Sequence, residues 1–251
     1  MAMQTPDVVP AGNKIVRHAL TFTTKPGDEE KVAGILGNYE PPKAQVDKTT
    51  RLHRTSILMH GNRVVRAVEV DGDLAAAQRY IAKQPEVRVV EEAINPFLEE
   101  PRNLNDPESA RAFFMRAALP CVHHTESASS KAPRVLRHGL YFPAKPGCGE
   151  ALAHSLIQQD EEVVNDPSNP IKSCTVFQRD DIVVRLVEAT GPLESAPLQA
   201  LGLGRLAPRQ LTEMLDTNAI GTDGAPADHE VIPLLLKAAG MRLVTDRQPQ
   251  A

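Results

Sequence analysis

Hydrophobic and polar residues alternate with period two along Val16–Phe22, which predicts a strand from about Val16 to Thr23. His18, Leu20 and Phe22 then share one face of it, and Arg17, Ala19 and Thr21 the other. Lys25-Pro26-Gly27 ends the strand, and Asp28 is placed to cap a helix through Val32, Ile35 and Leu36 that stops near Gly37-Asn38. Two apolar runs, Leu52–Met59 and Arg63–Val70, flank His60-Gly61-Asn62 and predict a hairpin. Asp73 starts a helix through Leu74, Ala77, Tyr80 and Ile81, and the β-branched run Val87-Arg88-Val89-Val90 with Ala93-Ile94 reads as a fourth strand ending at Asn95-Pro96. Asp106-Pro107 opens a further helix through Ala110, Phe113, Phe114 and Ala117, followed by a strand-like tail to His123.

The pattern then recurs. Between Arg17 and Gly27, seven of 11 positions are identical to those 120 residues later, from Arg137 to Gly147. Val64-Val65-Arg66-Ala67-Val68-Glu69 returns as Val183-Val184-Arg185-Leu186-Val187-Glu188, five of six identical. Each copy therefore reads as β-α-β-β-α-β, the ferredoxin-like order. The fold expected is α+β: tandem ferredoxin-like repeats whose sheets pack into a pseudo-dimeric α+β barrel with a pocket between them. Residues 1–13 read as a flexible arm, 14–123 as repeat 1, the small polar run 124–133 as a linker, and 134–251 as repeat 2. Leu206–Gly224 has no clean match in the first copy, so pockets in the two halves need not be equivalent.

Net charge is −4, with 41% hydrophobic and 24% charged residues, which gives no pull toward nucleic acid. No run of 18 apolar residues and no signal-peptide pattern is present, so the expectation is a cytoplasmic protein with no membrane partner. Cys121, Cys148 and Cys174 lack any CxxC spacing and read as reduced thiols. Cys121-Val122-His123-His124 has metal-ligand residue types without a second cluster, so no metal site is expected. Gly202–Ala207 matches GxGxxA but follows a predicted helix, which argues against a dinucleotide fingerprint.

The polar residues kept in both copies are the chemical candidates. A charge on a strand buried on both faces needs a partner or a ligand. Arg17, Glu69 and Arg137 either tie the halves together or, with Phe22 and Phe142, line a substrate pocket. His18, His138 and His53 are candidate bases, and Arg66 and Arg185 candidate stabilisers of an anion. The run from Asn95 to Phe114, NPFLEEPRNLNDPESARAFF, with the paired RH and VVRxVE strands, resembles the SchA/CurD-like family from about residue 14 onward. That resemblance implies a tandem α+β barrel from a gene cluster for spore pigment or aromatic polyketide, and hydroxylation of a multicyclic aromatic polyketide.

Such a reaction can proceed without a cofactor, with molecular oxygen as co-substrate, because a deprotonated polyphenol can itself pass an electron to dioxygen. No flavin, haem or metal motif is present in the sequence. A polyketide cyclase on the same fold and a non-catalytic polyketide-binding protein are the alternatives. The partners expected are a small aromatic polyketide and type II polyketide synthase components. The assembly is either a monomer with pseudo-twofold symmetry or a homodimer.

Overall fold

The computed structural model describes residues 15–127, 135–203, 208–221 and 231–248. In the first half β1 (Ile15–Thr23) leads through α1 (Glu29–Gly37) to the hairpin of β2 (Arg51–His60) and β3 (Arg63–Asp71). Then come α2 (Leu74–Ile81), α3 (Pro85–Ile94), α4 (Pro107–Ala117) and β4 (Ala118–Glu126). The second half runs β5 (Leu136–Pro143), α5 (Gly149–Ile157), α6 (Asp160–Asn165), β6 (Ile171–Arg179) and β7 (Ile182–Ala189). It ends with α7 (Pro197–Ala200), α8 (Pro208–Met214), α9 (Val231–Ala239) and β8 (Gly240–Arg247).

The eight strands form one closed barrel in the order β1-β3-β2-β8-β5-β7-β6-β4. β4 pairs with β1 of its own half and β6 of the other, while β8 pairs with β5 of its own half and β2 of the other. Neither half closes its sheet alone. The exchange of last strands leaves no free sheet edge, so the repeated sequence becomes a single pseudo-twofold barrel.

Local chemistry explains most of the boundaries. Gly27 and Gly147 take positive φ of +92° and +76° in the two Lys-Pro-Gly turns, a conformation open to glycine. Gly61 (φ +53°) serves the turn of the β2–β3 hairpin and Asp180 (φ 51°) that of β6–β7. Asp73 accepts from the Ala75 and Ala76 amides at 2.8 and 3.1 Å, and Asp106 from that of Glu108 at 3.1 Å, as N-caps. Asp28 makes no side-chain cap; the Glu29 carboxylate takes the Gly27 amide instead.

The expected fourth strand at Val87–Ile94 is instead α3. Pro85 pre-sets its first turn, and Val87, Val90, Glu91 and Ile94 are buried at helical spacing while Val89 is 67% exposed. The true fourth strand is the tail after α4, and it takes in His124–Glu126, where a linker was expected. Residues 128–133 of that linker, the arm 1–13 and the end of the GxGxxA run at 204–207 lie outside the described residues.

Strand parity divides the core. Outward positions pack under the helices: Leu20, Phe22, Ile57 and Val64 with α1, α3 and α4 in the first half, Leu140, Phe142, Val183 and Val187 with α5 and α9 in the second. Inward positions from both halves, among them Ala19, Leu58, Ala67, Leu119, Tyr141, Phe177 and Val184, fill the middle of the barrel. The fit is tight, since a Cβ at Gly139 would lie 2.4 Å from Leu58 Cδ2 and 3.2 Å from Met241 Sδ. The barrel centre is a packed core, and space for chemistry is left to its ends.

Candidate functional site

Beyond the apolar middle, at one mouth of the barrel, every strand turns a polar residue inward. Arg17 lies on β1, Arg54 and Ser56 on β2, Glu69 on β3, and His124 on β4. Arg137 lies on β5, Thr175 on β6, Glu188 on β7 and Asp246 on β8. The strand registers relate them by the pseudo-twofold: Arg17 faces Glu69 as Arg137 faces Glu188, and Glu69 faces Arg54 as Glu188 faces Ser173. Ser56 faces Asp246 as Thr175 faces His124. His124 is thus the counterpart of Asp246 and His123 of Thr245.

On the Asp246 side the groups close into an ion network. Arg137, with its side chain 6% exposed, donates to Glu69, to Glu188 at 2.9 and 3.2 Å, and to Ser56 at 3.0 Å. Arg54 Nε reaches Asp246 at 2.8 Å and its guanidinium also holds Glu188. Ser56 donates to Asp246 at 2.8 Å. Burial alone would raise the carboxyls of Glu69 and Asp246, but the adjacent guanidiniums outweigh it and hold both below the ordinary carboxylate range.

The other side differs. Ser173 stands where Arg54 would be, so no second guanidinium enters, and the two shared glutamates are drawn to Arg137 and Arg54. Among the described residues Arg17 keeps only a 3.4 Å bond to the Ile15 carbonyl and a 3.8 Å contact with the mostly exposed Glu126. Beside it, His124 Nδ1 lies 2.9 Å from Thr175 Oγ1, while Nε2 is buried without a hydrogen bond among the described residues and stands 3.5 Å from the carboxylate of the mostly exposed Glu126. Burial and the charge of Arg17 push the imidazole pKa down, only partly offset by Glu126 and Glu69. The ring is therefore neutral near pH 7. In the tautomer that donates Nδ1–H to Thr175, the Nε2 lone pair can take a proton. Burial also raises the Cys121 thiol, which stays protonated.

The expected site residues separate by parity. Arg17, Glu69 and Arg137 meet at this mouth. His18, His138, Arg66, Arg185, Phe22 and Phe142 all point outward beneath the helices, so they do not share a cavity with the first group. His18 and His138 are partly buried, and burial lowers both. Arg66 pairs with Glu91 of α3. Arg185 is fully buried and bonds Asp160 at 2.6 and 2.9 Å and the carbonyls of Leu156 and Ala200 at 3.0 Å, so it fastens the helical layer to β7. His53 is exposed at a bulge of β2. These placements set His18, His53, His138, Arg66 and Arg185 apart from the groups gathered at the mouth.

His124 was missed because it sits in an apparent ligand-like run, and only the bulge between Cys121 and His123 sets its face. That bulge turns His123 outward to Asp160, 3.4 Å away, and His124 inward. No group of three or more His, Cys, Asp or Glu able to hold a metal occurs among the described residues. No described helix is long and apolar enough to cross a membrane.

Residues 15–127 match the family model described as SchA/CurD like domain. The chain is 54% identical over 241 residues to "Polyketide synthase CurD" of Streptomyces cyaneus, which covers 96% of this chain and 66% of that protein. It is 51% identical to "Protein SchA" of Streptomyces halstedii, covering 96% of this chain and 63% of that one. A "42.8 kDa protein in whiE locus" of Streptomyces coelicolor is 48% identical, covering 94% and 60%. The chain thus spans 60 to 66% of the length of these relatives. An anthrone oxidase-like protein of solved structure covers 94% of both chains at 12% identity and a TM-score of 0.39, too low a likeness to bear on chemistry.

Proposed function

Because the chain belongs to the SchA/CurD-like family, we propose that it oxygenates a multicyclic aromatic polyketide at the His124–Arg17 side of the barrel mouth, without a cofactor. The substrate class comes from the relatives named as a polyketide synthase and a whiE-locus protein. One observation carries the chemistry: a neutral, partly buried imidazole, whose Nε2 makes no hydrogen bond among the described residues and has the mostly exposed Glu126 carboxylate 3.5 Å away, lies beside an arginine whose buried carboxylate neighbours are held elsewhere.

In this reading His124 takes the phenolic proton and Arg17 holds the phenolate oxygen. The electron-rich anion reduces dioxygen by one electron, and the two radicals join at a ring carbon that bears hydrogen. Loss of water then leaves a carbonyl there. Phenol plus dioxygen gives quinone plus water: one oxygen stays on the ring, and the other leaves with the ring hydrogen and the proton that His124 returns. The substrate supplies every electron. We further read each half as a ferredoxin-like unit, and the protein as a cytoplasmic monomer acting beside polyketide synthase components.

Oxygen uptake by protein freed of metal and flavin, with a polyphenolic polyketide as substrate, tests this. The expected product has gained one oxygen and lost two hydrogens. A strict need for flavin or iron would overturn the cofactor-free reaction, and a product that has only lost water would mark a cyclase. Undiminished turnover by a folded His124→Ala protein would remove the site.

A further inference from the structure

The opposite mouth of the barrel holds a cavity of about 260 Å³, bounded by strand ends and α4. Phe22, Phe113 and Ile182 give it apolar walls, and Arg63, Arg116 and Arg179 border it against one lining carboxylate, Glu100. Two of these arginines have structural work. Arg179 donates to the carbonyls of Met115 (2.7 Å) and Arg116 and so caps the end of α4, while Arg116 pairs with Glu100 at 2.9 Å on the surface.

Arg63 does not. It donates to Thr21 Oγ1 at 3.2 Å and its guanidinium lies 5.3 Å over the Tyr141 ring, and among the described residues it pairs with no carboxylate. Its pseudo-twofold counterpart is Ile182, the first residue of β7, so the fold does not require a charge at this place. The apolar middle of the barrel, including Leu58, Ala67, Leu119 and Phe177, separates this cavity from His124.

We propose that this cavity is a binding site for a one- or two-ring aromatic carboxylate, its ring between the phenylalanines and Ile182 and its carboxylate on Arg63. A planar guanidinium matches a carboxylate with two parallel donors. Since an apolar cavity of about 150 Å³ takes one benzene ring, 260 Å³ suits one or two rings and excludes a larger fused system. The site is independent of the reaction at the other mouth.

Calorimetric titration of the full chain with 2-naphthoate at low salt tests it. Saturable binding is expected, weakened about tenfold or more by Arg63→Gln, in line with the loss of a charged hydrogen bond. Neutral 2-naphthalenemethanol should bind weaker by a similar factor. Arg116→Gln, a more exposed change, should weaken naphthoate by a smaller factor, and it decides the matter together with the alcohol if Arg63→Gln does not fold. The proposal fails if naphthoate does not saturate, if the alcohol binds equally, if neither arginine variant weakens binding, or if Arg17→Gln rather than Arg63→Gln abolishes it.

Discussion

Arg17 and Arg137 occupy the same place in the two repeats, yet replacing each by Met should have opposite consequences. Arg137 is nearly buried and holds Glu69, Glu188 and Ser56. Its loss leaves Glu188 with Arg54 but strands Glu69, whose side chain is 11% exposed. Removing one member of a buried ion pair costs about 3–5 kcal/mol. At about 2–4 °C per kcal/mol for a chain of this size, the melting temperature should fall by roughly 6–20 °C. Arg17 gives up a long 3.4 Å bond to the Ile15 carbonyl and a 3.8 Å contact with the exposed Glu126, a loss of about 1 kcal/mol or less and a few degrees. Turnover should show the reverse emphasis, with Arg17→Met slowing it by about 100- to 1,000-fold, as for loss of one anion-stabilising donor. Acid supplies a second reading. The folded pKa of Glu69 is lowered, so the stability it contributes is complete above the unfolded carboxylate pKa and is lost as pH falls through the folded value. Arg137→Met has already lost that contribution, so its gap to the wild type should narrow on acidification. Melting followed by circular dichroism at about pH 7 and about pH 4 measures both effects. Equal shifts for the two variants, or a gap that widens in acid, would refute the broken symmetry inferred for this mouth.

Three further outcomes follow from the same geometry. Because burial and Arg17 lower the His124 pKa, the acid limb of kcat/KM should lie below the ordinary imidazole value of about 6.5 and vanish in His124→Gln; a limb above that value in a pH–rate profile contradicts the assignment. Arg185→Leu leaves Asp160 buried without its bidentate partner and should cost about 3–5 kcal/mol in urea unfolding, with oxygen uptake per folded molecule unchanged. Gly139→Ala should cost about 1–3 kcal/mol by driving Leu58 from its place, and Leu58→Ala in the same chain should recover part of it in the same measurement.

The repeat made the barrel legible before any coordinates, because the two copies of strands β1 and β3 share both their apolar period and their charges. Parity within Arg17–Phe22 also placed Arg17 and His18 on opposite faces correctly. It could not say which face looked inward, since both are buried and both carry polar groups. Val87–Ile94 was misread because β-branched residues favour strands locally, whereas the helix is selected by burial at positions 87, 90, 91 and 94 and by Pro85. His124 escaped notice for a related reason: a β-bulge resets which residue faces inward, and nothing in the residue types announces a bulge. The match of His124 with Asp246 is therefore a fact of register.

Fusion of the repeats explains why the mouth can be asymmetric. In a homodimer of the same barrel, any arginine at position 54 would appear twice across the axis, as would any carboxylate opposite Ser56. Both sides would then close into ion networks or neither would. In one chain Ser173 replaces the second Arg54 and His124 the second Asp246, while Arg17 and Arg137 remain paired as in a dimer. The network on the Asp246 side holds both shared glutamates and with them the seam between the halves. With that seam secured, the opposite side can keep an arginine and an imidazole whose carboxylate contact among the described residues is the mostly exposed Glu126. That arrangement costs stability where it stands, and it is the local condition under which a bound phenolate would be the missing counter-ion.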